Sequence, residues 1–502
     1  MFAQILCILA VIVIFLIWLQ NLFCRRNSFG VDLPGPKSYP LIGSSYLFFR
    51  KDHCETFEIV SKHFAQYPKF FKYILGLRRV ICLTDPDLIQ HALTSTECQN
   101  KAFMYKFFDV DYGLISASYH DWKQYRKILN PAFNRKILVR FISIFEKCSQ
   151  IMTERMSTQV DCGEFDVFQF ASNATLQMIC QSSLGSAVAA QPQTAKFCLF
   201  LDQLLSLMSQ RWFKVAFHND WLYALTPMYR KTQRLRSDIQ EIIEPIITEK
   251  RDFLRQQKQF MDISEKEFDR KPMIFVDQLL KMERDGQEIT IPEIQCHIYT
   301  IIAAGNETSA LQTSYIFLML AMFSDVQQKV YEEITNIYSK SGRQQLSYEA
   351  LQQQHYLELV IKETMRLFPV APIIGREAIE PVRLGEMNIP PGTTLLMNFY
   401  ALHRRQDLWG PDADQFNPER FREENSASRH PFCYFPFGGG PRVCIGYRYA
   451  MLSVKAMVTH VVKEYHLRTR LKLNELRPSH EITLKLPSGF MMSIEKRNRN
   501  AR

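Results

Sequence analysis

The chain lacks the marks of several common functional classes. It has no C-x-x-C pair of the kind that builds structural zinc sites, and His53/Cys54 and Cys296/His297 are not repeated as ligand pairs. It has no G-x-x-x-x-G-K-[ST] phosphate loop and no flavin or nicotinamide fingerprint, so any electrons it uses must come from another protein. No Gly/Ser linker, low-complexity tract or internal repeat divides the 502 residues, although that length alone suggests about three domains. With 47% hydrophobic and 22% charged residues, disorder is excluded and a large core is expected. The 12 cysteines are scattered without regular spacing, which reads as reduced thiols facing a cytosol. On that side Asn173-Ala-Thr175 and Asn306-Glu-Thr308, which fit the glycosylation pattern, would stay unused.

Charge is absent from residues 1–24, and Ile5 to Leu19 is almost wholly apolar before Arg25-Arg26. About 20 such residues suffice to cross a bilayer. The missing basic n-region and cleavage site argue against a removed signal peptide. The positive flank after the span places the N-terminus outside, in a lumen, and the body in the cytosol. Residues 25–45, with Leu33-Pro34-Gly35-Pro36 and Pro40, read as a stiff hinge, and 46–502 as a single body. Helical periodicity over 140–157, 230–257, 292–322 and 346–367 outweighs strand signals at 73–83 and 382–400 and a hairpin over 482–494, so the fold class is mainly α with small β-sheets.

One segment is more specific than the rest. In Phe437-Gly-Gly-Gly440-Pro-Arg442-Val-Cys444-Ile-Gly446 a lone thiol sits in a glycine-rich loop beside an arginine. Glycines let the backbone approach a flat ligand closely. Amides turned toward the sulfur, with Arg442, would favour the thiolate that binds metal. A single cysteine suits an axial bond to an iron whose other ligands come from a porphyrin. The pattern F-x-x-G-x-R-x-C-x-G is that of the haem-thiolate oxygenases, the cytochrome P450 superfamily, and this segment resembles it at every fixed position. The resemblance implies the cytochrome P450 fold, with Cys444 as metal ligand and Phe437, Gly440, Arg442 and Gly446 around a haem b held non-covalently apart from the iron–sulfur bond.

Within the apolar run 292–322, Ala303-Ala304-Gly305-Asn306-Glu307-Thr308 resembles the family's oxygen-binding motif. A mid-helix glycine costs about 1 kcal/mol relative to alanine. A threonine hydroxyl bonded to the carbonyl four residues back bends a helix and opens a groove. Dioxygen would fit there beside Gly305, with Thr308 donating to its outer oxygen and Asn306 or Glu307 linking it to solvent protons. Glu363 and Arg366 share a helix face and match the family's E-x-x-R, with Arg420 of F-x-P-E-R-F as the third, structural, member. Trp122 and Arg126, four apart, together with Arg376 and Arg442, match the usual donors to the haem propionates.

These motifs cover the whole chain in the family's order. Gly113-Leu-Ile-Ser116 through Trp122 and Arg126 to Phe133 resemble the fatty-acid ω-hydroxylase clan, including its insect branches. That clan often carries Glu where this chain has Ala304, so an ester to a haem methyl is not expected. The resemblance implies a monooxygenase of the endoplasmic reticulum membrane that takes electrons from an NADPH-dependent flavoprotein reductase. The net charge of +10, including Lys123, Lys127, Arg135, Lys136 and Arg448, would help recruit it. A lipophilic substrate is expected from the apolar stretches 103–108, 212–217, 221–225, 298–303 and 369–374 and from Phe490; no nucleic-acid partner is expected. The rival readings are a haem-thiolate isomerase or dehydratase and a non-catalytic haem sensor.

Overall fold

The computed structural model describes residues 29–497 except 41, 77, 109–112, 186–188, 190–191, 261–273, 285–288 and 342–344, together with residues 4, 7, 10–15, 17 and 18. Its axis is the helix Ile291–Met322, apolar on nearly every face and accordingly buried on nearly every face. Thr290 and Glu293 start it with a reciprocal capping box, and Pro292 occupies the first turn, where its missing N–H costs nothing. Helices Phe168–Ser183, His355–Leu367 and Tyr447–Glu464 pack around it, and the last of these also leans on Ile142–Met156 through Tyr449 and Phe145, whose rings lie 4.9 Å apart.

A five-stranded sheet closes one side, in the spatial order Phe70–Leu75, Arg78–Leu83, Thr394–Asn398, Ile373–Glu377 and Asn100–Lys101. Only the pair Arg78–Leu83 with Thr394–Asn398 is parallel, bringing together segments more than 300 positions apart. Strands and helices therefore form where the periodicity placed them, with helix in clear excess.

Four expectations change. The run 346–367 is two helices, Tyr348–Gln352 and His355–Leu367. The buried Lys455 ammonium reaches the carbonyls of Leu351 and Gln354, so the carbonyls freed by the break are satisfied. The segment 482–494 does turn at Gly489, but its arms do not pair. Leu484–Lys485 joins Ser479–His480, while Met491–Lys496 spends its edges on Phe165–Asp166 and Tyr465–Arg468.

Residues from 29 onward are not a free hinge. Phe29 and Leu33 are buried, the Pro34 carbonyl accepts from the Lys72 amide at 2.8 Å, and a Cβ on Gly35 would meet the Lys72 oxygen at 2.3 Å. The body thus begins by residue 29. Trp221 and Leu225 point outward, 70% and 64% exposed, and do not line an interior pocket.

The span 1–24 falls largely outside the described residues. Those described in it are helical, with Val11, Ile14, Phe15 and Trp18 exposed. Among the described residues no single helix is long and apolar enough to cross a membrane.

Candidate active site

The loop before Cys444 is shaped by its glycines. Gly440 has φ +67°, and a Cβ there would lie 1.9 Å from the Leu93 carbonyl oxygen, so conformation and space both demand glycine. The Val443 amide donates to Gly440 at 3.1 Å and the Cys444 amide to Phe437 at 2.9 Å, after which Gly446 leads into the helix Tyr447–Glu464. The Gly446 amide turns toward the Cys444 sulfur. That sulfur is accessible, yet protein surrounds and desolvates it, so the space it faces is internal. Burial pushes the thiol up, while the Gly446 amide, Arg126 and Lys101 pull the other way. Arg442 does not act on the sulfur as the sequence suggested. Its guanidinium donates to Ala117 O at 3.1 Å and lies over the buried Trp122 ring at 4.7 Å.

Four cations converge in this space. Arg126 donates to the Val443 carbonyl at 2.8 Å, tying its helix, Tyr119–Leu129, to the cysteine loop. Arg376 is buried, with one bond to its neighbour's carbonyl at 3.1 Å and Nε unpartnered; Arg442 is buried with Nε and Nη1 unpartnered. Lys101, missed in the sequence, stands directly across from Arg376 in the strand pair, and burial with Arg376 and Arg442 drives its pKa well down. Burial and Arg376 likewise bring Arg442 to about 9. Like charges opposed on neighbouring strands destabilise a sheet. Orphaned guanidinium groups in the interior cost more still. No local signal marks Lys101, because its place comes from pairing with residue 376.

Behind the loop the buried ion pair is complete. Arg366 grips Glu363 with two bonds of 2.7 and 2.8 Å and sends its remaining N–H groups to the carbonyls of His403, Ala413 and Gln415. Glu363 also accepts from the Asn417 amide at 2.9 Å, and Arg420 lies 3.5 Å from it. Arg420 further binds the carbonyls of Trp409 and Asp412. The three residues of E-x-x-R and Arg420 are brought together, with Glu363 and Arg366 fully hydrogen-bonded and Arg420 Nε 3.5 Å from Glu363 without a hydrogen bond of its own.

On the central helix, residues 303–305, 307 and 308 are partly accessible inside an otherwise buried element. Thr308 Oγ1 donates to the Ala304 carbonyl at 2.5 Å, the back-bond the sequence implied. Gly305 serves a different purpose from the one expected. A Cβ there would strike Ile179 at 2.8 Å, so the glycine admits the helix Phe168–Ser183. Asn306 is buried, and its side-chain oxygen accepts from Thr175 at 2.8 Å. Asn306 and Glu307 both line a polar cavity, where Glu307 lies 3.0 Å from Lys485.

A family model for Cytochrome P450 matches residues 33–494. The chain belongs to the cytochrome P450 family. Similar proteins include probable cytochrome P450 313a4 of Drosophila melanogaster, 29% identical over 96% of this chain and 98% of its own length. Cytochrome P450 4c21 of Blattella germanica is 29% identical over 93% of each chain. Cytochrome P450 4c3 of Drosophila melanogaster is 27% identical over 98% of this chain and 94% of its own. These are insect members, in line with the branch that the motifs resemble.

As a cytochrome P450 the protein is a monooxygenase with haem as cofactor. The residues present fit that group. A lone sulfur faces internal space, the buried Arg376 and Arg442 have unpartnered N–H groups, and Lys101 stands opposite Arg376. Haem brings two carboxylates.

Proposed function

We propose that this monooxygenase hydroxylates a lipophilic small molecule at a membrane surface, using electrons that an NADPH-dependent flavoprotein reductase supplies. The convergence of four cations and one thiol on a single interior space carries the reading. Cys444 would ligate the iron of haem b, and Phe437 and the loop glycines would help to hold it; Arg126, Arg376, Arg442 and Lys101 would hold the propionates, with Trp122 packed against Arg442. Haem held there supplies dioxygen activation and transfer of one oxygen atom into a C–H bond.

The chain's own groups do the rest. Thr308 gives its hydrogen to Ala304 O, which leaves the hydroxyl lone pairs of Oγ1 for the open side of the helix. Glu307 connects that side to a polar cavity, and so stands where protons enter. Phe103, Tyr105, Phe107 and Phe108 meet Trp212 and His218 in edge and tilted ring contacts, an aromatic cover that excludes water and suits an apolar guest.

Lys123, Lys127, Arg135, Lys136 and Arg448 are exposed around the helix that Arg126 ties to the cysteine loop, as a docking face for an acidic reductase requires. The apolar span 1–24 would anchor the chain in the endoplasmic reticulum membrane with its N-terminus lumenal, and Trp221, Leu222 and Leu225 would touch the same interface.

A reduced carbon monoxide difference spectrum tests thiolate ligation. NADPH consumption with added reductase, followed by profiling of products from a panel of fatty acids and other apolar compounds, tests the rest. Oxygenated product that requires reductase is expected. Turnover without reductase would favour an isomerase, and ligand binding without turnover a sensor.

A further inference from the structure

Beside the central helix lies a cavity of about 240 Å³, walled by the helices Phe168–Ser183 and Pro192–Phe213, the central helix and the segment 481–486. Its polar lining is dense. Lys485 Nζ stands 3.0 Å from Glu307 Oε1 and 3.1 Å from Glu481 Oε2, bridging the two carboxylates. Asp166 shares the wall, but its Oδ1 is taken by the amides of Phe168 and Phe490. Asp202 lines this cavity and also a second hollow on its other side. It is therefore accessible and yet hemmed in by protein, which together with Glu307 pushes its carboxyl up to about 6. The hydroxyls of Ser209 and Thr483, both in the wall and more than nine-tenths buried, have no partner in the protein. Buried hydroxyls are rarely left unsatisfied, and the cavity has room and partners for several waters.

We propose that this cavity is a proton port in which Asp202 collects protons from solvent and water held by Ser209 and Thr483 passes them to Glu307. The proposal deepens, and rests on, the reading of Glu307 and Thr308 as oxygen-side residues. One proton leaves the Asp202 carboxyl, which becomes a carboxylate and is reprotonated from solvent. One proton arrives at Glu307 Oε1, neutralising it and loosening its pair with Lys485. Asp202 is thus a positioning residue for protons and touches neither cofactor nor substrate. Lys485 is its counterweight, attracting the anionic forms of both carboxyls.

The test uses the full-length haem protein. Infrared difference titration from about pH 4 to about pH 8 should show a carboxyl band with a midpoint near 6, absent in Asp202→Asn and restored in Asp202→Glu. Lys485→Met should move that midpoint up and Glu307→Gln should move it down, since these neighbours act on Asp202 with opposite sign. Because the folded value is raised above the ordinary 3.8, charging Asp202 costs stability above about pH 6 and nothing well below 4. Wild type should therefore lose unfolding temperature relative to Asp202→Asn as pH rises between those limits.

In turnover, product per NADPH should fall severalfold in Asp202→Asn while haem content and the substrate-induced spectral change stay at wild type. A band of midpoint near 6 that survives in Asp202→Asn overturns the assignment. Uncoupling in Thr308→Ala but not in Asp202→Asn overturns the port alone. Wild-type coupling in both overturns the oxygen-site reading on which it rests.

Discussion

In the triad behind the Cys444 loop a buried charge is answered by fixed partners: Arg366 bonds one carboxylate and three carbonyls. On the Glu307 side, charged groups meet one another across open space, as Lys485 meets Glu307 and Glu481. The first arrangement is rigid because Arg366 has a fixed acceptor for each of its bonds, and loss of Glu363 leaves a buried charge. The second tolerates rearrangement because solvent can replace any partner. A fixed metal geometry needs the former; moving protons needs the latter.

The sharpest way to break this contrast is Cys444→Ser, which should abolish the thiolate spectrum and most bound haem, measured by reduced carbon monoxide difference spectroscopy. Next, Glu363→Gln should cost about 3–5 kcal/mol by stranding Arg366 in the interior, read from denaturant unfolding. The exposed pair Lys51–Glu55 is the control: Lys51→Ala should leave the unfolding midpoint near that of wild type. If both cost the same, the two sides do not differ as argued.

Two glycines separate shape from conformation. Gly440→Ala faces the Leu93 oxygen and should prevent haem loading, whereas Gly438→Ala has φ +77° but nothing within 4 Å and should cost only about 1–2 kcal/mol. Haem content and melting temperature of the pair report the difference. On the other side, Thr308→Ala should leave stability and haem content near wild type. Product per NADPH should fall severalfold and free hydrogen peroxide per NADPH should rise. Cys433→Ser should keep the thiolate spectrum and lose about 1–3 kcal/mol, since this buried thiol packs with Trp409 and Ala413 as a small apolar group.

The two sides were also unequally legible. Loop, triad and arginine positions are short motifs whose residue types are dictated by close contact: Glu363, Arg366, Arg420, Arg376 and Arg442 are buried, and Arg126 bonds the Val443 carbonyl. The Glu307 side could not be read in this way. Asp202, Glu481 and Lys485 are single charges in unremarkable stretches, and only packing brings them to one cavity.

The sequence by itself determined that the chain is mainly helical, that one thiol occupies a glycine loop, and that a threonine bonds back along an apolar helix. Each follows from residues within about one helical turn or one loop of each other, where local sterics and hydrogen bonding decide. Tertiary structure decided which side of that helix each residue serves. Gly305 turned out to admit Ile179, and Asn306 to bind Thr175, because helix Phe168–Ser183 packs on that face. It also set Lys101 against Arg376 across a strand pair, and parted the two arms after residue 482, since each arm found a better edge elsewhere. Pairings between residues hundreds of positions apart depend on the packed whole, and no short stretch of sequence encodes them.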